Sequence, residues 1–228
     1  MTKKAEIITF GCRLNIYESE ILKQGVKEHE VKNTSIFNSC AVTAESVRQV
    51  KQSIRKRRRE FPEEKIVVTG CAAQIEPETF SKMQEVDLVS GNIEKRDILN
   101  ILSKEKNSKK IEVQNIMETR QSLNGLTDGY DNRSRAFIEI QNGCDHRCTF
   151  CIIPFGRGNS VSKSVKNIIN EINLMIEKGH KEIVLTGVDI ASWGHDLDKK
   201  SNLGFLVKKI LQGSPDLTRL KLSSMDVI

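Results

Sequence analysis

Along the first hundred residues, short apolar runs alternate with longer stretches whose apolar positions recur at helical spacing. The runs Ile7 to Phe10, Ser35 to Asn38, Ile66 to Thr69 and Asp87 to Ser90 are predicted strands. Between them the spacing predicts helices over Glu18 to His29, Ala44 to Glu60 and Glu78 to Gln84, with Pro62 and Pro77 as punctuation, and a further helix over Lys95 to Leu102. This alternation defines an α/β domain with a mainly parallel sheet. Beyond Ser103 the chain turns polar, rich in Lys, Asn, Ser and Gly, with one apolar interruption at Ile111 to Val113. Residues 104–134 are therefore expected to be a linker between a domain over 1–103 and a second over 135–228. The second part restarts the alternation, with strand Ala136 to Ile140, helix Val165 to Glu177, strand Glu182 to Thr186, helix Phe205 to Leu211 and strand Leu217 to Leu222. These are the opening βα units of a barrel or an open parallel sheet.

Composition adds three constraints. With 228 residues and 38% hydrophobic content, each part can build a packed core. The start has too few apolar residues before Gly11 and Cys12 for a signal peptide, and no stretch reaches the roughly 18 to 20 apolar residues of a membrane helix. A soluble, cytoplasmic protein with no membrane partner is expected. The net charge of +6 is partly local, since Val47 to Arg59 holds seven basic residues and no acidic one. That run is either a solvated helix face or a contact for a polyanion such as RNA.

Six cysteines without an export signal point away from disulfides and towards metal binding or catalysis. Cys144, Cys148 and Cys151 form a Cys-x-x-x-Cys-x-x-Cys triplet directly after a predicted strand. Thiolates suit zinc or an iron–sulfur cluster, and three of them on a 4Fe-4S cubane leave one iron open for a substrate. A zinc knuckle completed by His146 is the alternative, although His146 lies between two of the cysteines, where reaching the same metal would strain the loop. Cys12, Cys40 and Cys71 each follow a predicted strand. In a parallel sheet such ends share one edge, and strands about 4.8 Å apart allow three thiolates there to converge, with Gly11 and Gly70 permitting close approach. The plainer alternative is three small buried hydrophobes.

The segment CDHRCTFC resembles the signature of the radical S-adenosylmethionine (SAM) superfamily, and GCRLNIYESE, FNSCAVTAES and VVTGCAAQ resemble the three cysteine motifs of its methylthiotransferase branch. The resemblance spans the whole chain and implies a radical SAM barrel of TIM type behind the first domain. Within the branch, Arg13 and Leu14 favour the enzymes acting on N6-threonylcarbamoyladenosine at position 37 of tRNA over those acting on isopentenyladenosine in tRNA or on a ribosomal-protein aspartate. The resemblance implies two 4Fe-4S clusters. The one on Cys144, Cys148 and Cys151 would bind SAM and cleave it to a 5'-deoxyadenosyl radical, and the one on Cys12, Cys40 and Cys71 would carry or donate the sulfur inserted at C2 of the adenine. It also implies a tRNA anticodon loop as partner and a flavodoxin or ferredoxin as electron donor. Phe150 would border the SAM adenine, and Thr186, Gly187 and Val188 would meet the methionyl amino group, unless they are ordinary strand-end turn residues. Arg157 and Lys163, in a pattern with Gly158 and Ser162, would touch phosphate or the SAM carboxylate, or lie on the surface. Because relatives continue through further βα units and a small RNA-binding domain, a truncated chain without turnover of its own is a further expectation.

Overall fold

A computed structural model describes residues 4–103, 110–118, 129–130, 134–198 and 201–225. The first half is a five-stranded parallel sheet, β1 (Glu6–Thr9), β2 (Thr34–Ser39), β3 (Lys65–Gly70), β4 (Leu88–Ser90) and β5 (Ile111–Glu112), in spatial order β1-β2-β3-β4-β5. Its helices are α1 (Arg13–Glu28), α2 (Ala44–Glu60), α3 (Cys71–Ile75), α4 (Pro77–Ser81) and α5 (Ile98–Ser103). The inner strands β2, β3 and β4 are buried along nearly their whole length because both sheet faces are covered. Ile36, Val67 and Leu88 point to one side, where they pack with Leu22 and Val26 of α1 and Ile98 of α5. Their neighbours Phe37, Ile66, Val68 and Val89 point to the other, against Val50 and Ile54 of α2 and Phe80 of α4.

Local chemistry sets the helix ends. Thr43 caps α2 by accepting the Ser46 N–H at 3.1 Å, and Arg57, Arg58 and Arg59 occupy its last turn, where cations suit the helix dipole. α1 begins at Arg13, earlier than the Glu18 predicted, because the buried residues Asn15, Glu18 and Ser19 hide its inward face from a hydrophobic pattern. The helix predicted over Glu78 to Gln84 is the shorter α4, which Pro77 opens and which ends at Ser81, and no pattern in the sequence marks α3 just before it. The helix predicted over Lys95 to Leu102 is a 3-10 turn at Glu94–Arg96 followed by α5.

The stretch expected to be linker contributes β5, which pairs Ile111 with Val89 and Glu112 with Ser90, and a 3-10 turn at Ile116–Glu118. Of that stretch, residues 104–109, 119–128 and 131–133 lie outside the described residues.

The second half has a parallel three-stranded sheet of β6 (Arg135–Glu139), β9 (Glu182–Thr186) and β10 (Arg219–Leu222), in order β10-β9-β6. Between β6 and β9 lie β7 (Gln141–Asn142), α6 (Ile153–Arg157), β8 (Val161–Ser162) and α7 (Val165–Glu177), with β7 antiparallel to β8, and α8 (Leu203–Gly213) precedes β10. Ser164 and Asn202 cap α7 and α8 through the N–H groups of Asn167 and Phe205. Ile138, Ile140, Ile168, Ile172, Leu185, Leu206 and Ile210 form the core here, joined by Tyr17 from α1 of the first half. The two halves therefore share a helix.

Candidate metal centres at the seam between the two sheets

The carboxyl ends of β1, β2 and β3 carry Cys12, Cys40 and Cys71 to one cavity of about 160 Å³. Two glycines make this possible. Gly11 has φ +105°, and a Cβ there would sit 2.6 Å from the Cys40 Cβ; Gly70 has φ +94°, and its Cβ would meet the Ser39 carbonyl oxygen at 2.3 Å. Only glycine lets each cysteine loop lie on the next. Cys12 is the N-cap of α1. Burial pushes the Cys40 thiol pKa up, and the Cys71 and Cys12 charges act in the same direction.

The same cavity is lined from the second half by Ile152, Ile153 and Arg157 of the cysteine loop and α6, and by Gly187 and Val188 beyond β9. Asn92 Nδ2 closes the seam at one side, donating to the Gly156 carbonyl at 2.5 Å and lying 3.9 Å from the Cys71 Sγ.

The other three cysteines lie on the loop between β7 and α6. Cys144 is buried, Cys151 is half-buried and Cys148 is exposed. Two bonds fix the loop's shape: the Cys144 N–H donates to the Gly158 carbonyl at 3.0 Å, and the Cys151 N–H donates to the Cys148 carbonyl at 3.0 Å. Burial pushes the Cys144 thiol up, and the Asp189, Cys151 and Cys148 charges reinforce this. All six cysteines are free thiols. Thiols such as Cys40 and Cys144, whose neutral form burial favours, become ligands when a cation displaces their protons, and three thiols gathered at one cavity are a donor set suited to an iron–sulfur cluster.

Asp189 and Gln141 are the site residues that sequence reasoning missed. The Asp189 carboxylate is buried, accepts from Ser192 Oγ and lies 3.2 Å from His146 Nε2, while its Oδ1 has no hydrogen-bond partner. Ligand atoms of Cys144, His146 and Asp189 all lie within 4.8 Å of one another. The missed signal was position, since Asp189 stands three residues past the end of β9. Gln141 is buried and ties two segments together. Its Oε1 accepts the N–H groups of Val188 at 3.0 Å and Asp189 at 2.9 Å, and its Nε2 donates to the Gly143 carbonyl at 2.7 Å and to Ser160 Oγ at 2.9 Å. Of the residues expected to meet SAM, Thr186 is buried at the end of β9, Gly187 and Val188 face the first cysteine cavity, and Phe150 is 91% exposed beside the second set.

Two sets of basic residues behave differently from expectation. Arg157 and Lys163 are neither on the surface nor free for an anion. Arg157, its side chain 4% exposed, donates to Glu18 Oε1 at 2.8 Å and to Asn15 Oδ1 at 2.5 Å, and Lys163 pairs with Glu171 at 2.9 Å and donates to the Tyr17 hydroxyl at 2.8 Å. Lys95 completes the cluster with a 2.8 Å bond to Glu18 Oε2. Burial alone would raise the Glu18 pKa, but the Arg157 and Lys95 charges reverse the effect and hold it at about 2. Burial likewise pushes Glu139 up to about 7, and there the nearby Lys163 does not offset it. In the basic run of α2, Arg57 is held by Glu64 at 2.6 Å and Glu6 at 2.8 Å, and Arg58 by Asp87 at 2.6 Å and the Glu85 carbonyl at 2.8 Å. These arginines fasten α2 to the sheet, leaving Arg55, Lys56 and Arg59 around an open groove.

Family models match both halves. Residues 138–216 match the Radical SAM superfamily and residues 4–91 match "Uncharacterized protein family UPF0004", so the chain belongs to the radical SAM superfamily through its second half and to UPF0004 through its first. It is 44% identical to the threonylcarbamoyladenosine tRNA methylthiotransferase MtaB of Rickettsia prowazekii over 98% of its own length and 52% of that protein. It is 34% identical to the MtaB of Aquifex aeolicus over 98% of its length and 56% of the relative. The chain thus spans about half the length of the curated relatives it matches. Among solved structures it is similar to TsrM, a radical SAM methyltransferase from Kitasatospora setae with cobalamin and a [4Fe-4S] cluster bound, at TM-score 0.60 and 12% identity, over 96% of this chain and 54% of that one. That likeness concerns the fold. No described helix is long and apolar enough to cross a membrane.

Proposed function

We propose that this protein takes part in methylthiolation of C2 of N6-threonylcarbamoyladenosine at position 37 of tRNA, using two 4Fe-4S clusters and SAM. The observation that carries the proposal is the gathering of Cys12, Cys40 and Cys71 at one cavity whose opposite wall, Ile152, Ile153 and Arg157, directly follows the loop of Cys144, Cys148 and Cys151. Its support is the superfamily match together with the identity to relatives named for this reaction. Cys144, Cys148 and Cys151 would hold the cluster that supplies an open iron and an electron to SAM; Cys12, Cys40 and Cys71 would hold the second.

The remaining roles fall to side chains around these sites. The unpartnered Asp189 Oδ1 is a buried acceptor suited to the ammonium group of SAM. Phe150 offers an uncovered aromatic face to an adenine. Ile152, Ile153 and Val188 line the cavity with apolar surface that excludes water from reacting groups. An anticodon loop suits such a site because its bases are exposed without the cost of opening a duplex.

Anaerobic reconstitution tests the two sites. Cys144→Ala and Cys71→Ala should each keep about half the iron and sulfide of the parent. Zinc in place of iron, or loss of all iron in either variant, overturns the assignment. Mass spectrometry of tRNA from cells lacking the protein tests the substrate. The 2-methylthio derivative of threonylcarbamoyladenosine should disappear; loss of the isopentenyl derivative or of a ribosomal-protein modification instead would transfer the assignment.

A further inference from the structure

Arg157 stands where the frames of both cysteine sets meet. Its Nη2 donates to Asn15 Oδ1 at 2.5 Å, and the Asn15 Nδ2 donates in turn to the Phe10 carbonyl at 2.7 Å and the Ser39 carbonyl at 3.0 Å. Those carbonyls belong to the turns that deliver Cys12 and Cys40. On the other side Arg157 Nη1 donates to Asn142 Oδ1 at 3.1 Å, and the same oxygen accepts the N–H of Gly143, the residue before Cys144, at 2.9 Å. A planar guanidinium can hold both partners at fixed angles, which an ammonium on a flexible stem does less well.

Arg157 also lines the cavity of Cys12, Cys40 and Cys71. A guanidinium keeps its proton in proteins, so this charge is permanent. Its buried companions are Glu18 and Lys95, which leave the trio with a net charge of about +1. A cluster held by three thiolates is anionic, and its potential depends on the charges and hydrogen bonds around it. A cation in the cavity wall favours the reduced form, and a buried anion behind it opposes this.

Resting on the two-cluster reading above, we infer that Arg157 is a positioning residue that sets the reduction potential of the cluster on Cys12, Cys40 and Cys71 by holding a fixed positive charge in its wall. The distinguishing feature is sign. Removing the cation should make the cluster harder to reduce, and removing the Glu18 anion should make it easier.

The test uses the full chain with Cys144, Cys148 and Cys151 all changed to Ala, so that a single cluster remains. After anaerobic reconstitution, the midpoint potential is followed by electron paramagnetic resonance during a redox titration. Arg157→Gln should move it to more negative values, Glu18→Gln to more positive values, and Arg157→Lys should leave it near that of the parent. Should Arg157→Gln not fold, the direction given by Glu18→Gln decides the question. A potential that does not move, or that moves the same way in the Gln variants, overturns the inference while the cluster assignment stands. A parent that takes up no iron removes the two-cluster reading and this inference with it.

Discussion

Changing Glu18 to Gln should destabilise the protein strongly at neutral pH, by an amount that can be worked in two ways from the same ion pairs. The Glu18 carboxylate bonds Arg157 and Lys95 at 2.8 Å each, and all three side chains are at most 4% exposed. Removing one member of a buried ion pair leaves the others uncompensated, at a cost of about 3–5 kcal/mol. The second way is linkage. The Glu18 pKa falls from 4.5 to about 2, and at about 1.36 kcal/mol per unit this corresponds to about 3 kcal/mol. Because the folded-state value is depressed, this stability is fully present above pH 4.5 and is lost as pH falls through about 2. Urea unfolding followed by circular dichroism at pH 7 should therefore show a loss of about 3 kcal/mol in Glu18→Gln. Below pH 4.5 the gap between parent and variant should narrow, since the parent alone then protonates this group. A loss under about 1 kcal/mol at pH 7, or a gap that stays constant with pH, would refute the reasoning.

Glu139 should show the opposite pH dependence. Its pKa is raised from 4.5 to about 7, so its neutral form is the one the fold favours: stability is greatest below pH 4.5 and falls by about 3 kcal/mol as pH rises through 7. Glu139→Gln should remove that fall, making the variant more stable than the parent in urea unfolding at pH 8; equal or lower stability there would count against the burial argument. Gln141→Leu should leave the half-buried N–H of Val188 and the buried N–H of Asp189 without their acceptor, the latter at about 1–3 kcal/mol, and loosen the loop before Cys144. Combined with Cys71→Ala it should lose most of the remaining iron, and combined with Cys144→Ala it should lose none; equal iron in both backgrounds would contradict the role given to Gln141.

The parts of the fold legible in the sequence are those where local chemistry and burial agree. α2 spans the residues expected because a threonine cap opens it and Phe61 and Pro62 end it. β2 and β3 stand out because both faces of the sheet are buried, so Ile36–Phe37 and Ile66–Val68 form short apolar runs. The convergence of Cys12, Cys40 and Cys71 was readable from their shared position after parallel strands. α1 was misjudged because its first turns bury polar groups whose partners are remote, Glu18 pairing with a residue 139 positions away. β5 escaped notice because a two-residue strand carries no alternation to detect. The roles of Gln141 and Asp189 were hidden for the same reason as α1, since each depends on a bond across 43 or more positions.

The burial of Tyr17 and Glu18 among residues of the second half bears on how such proteins can diversify. Two domains joined through a solvated boundary can be exchanged between relatives by recombination, with each keeping its own core. Here a crossover between the two parts would bring a foreign helix against Arg157, Lys163 and the β6 sheet, and a mismatch at either end would strand a buried charge. Substitutions at positions 17, 18, 95, 157 and 163 are therefore bound to one another, and the lineage is constrained to inherit both halves together.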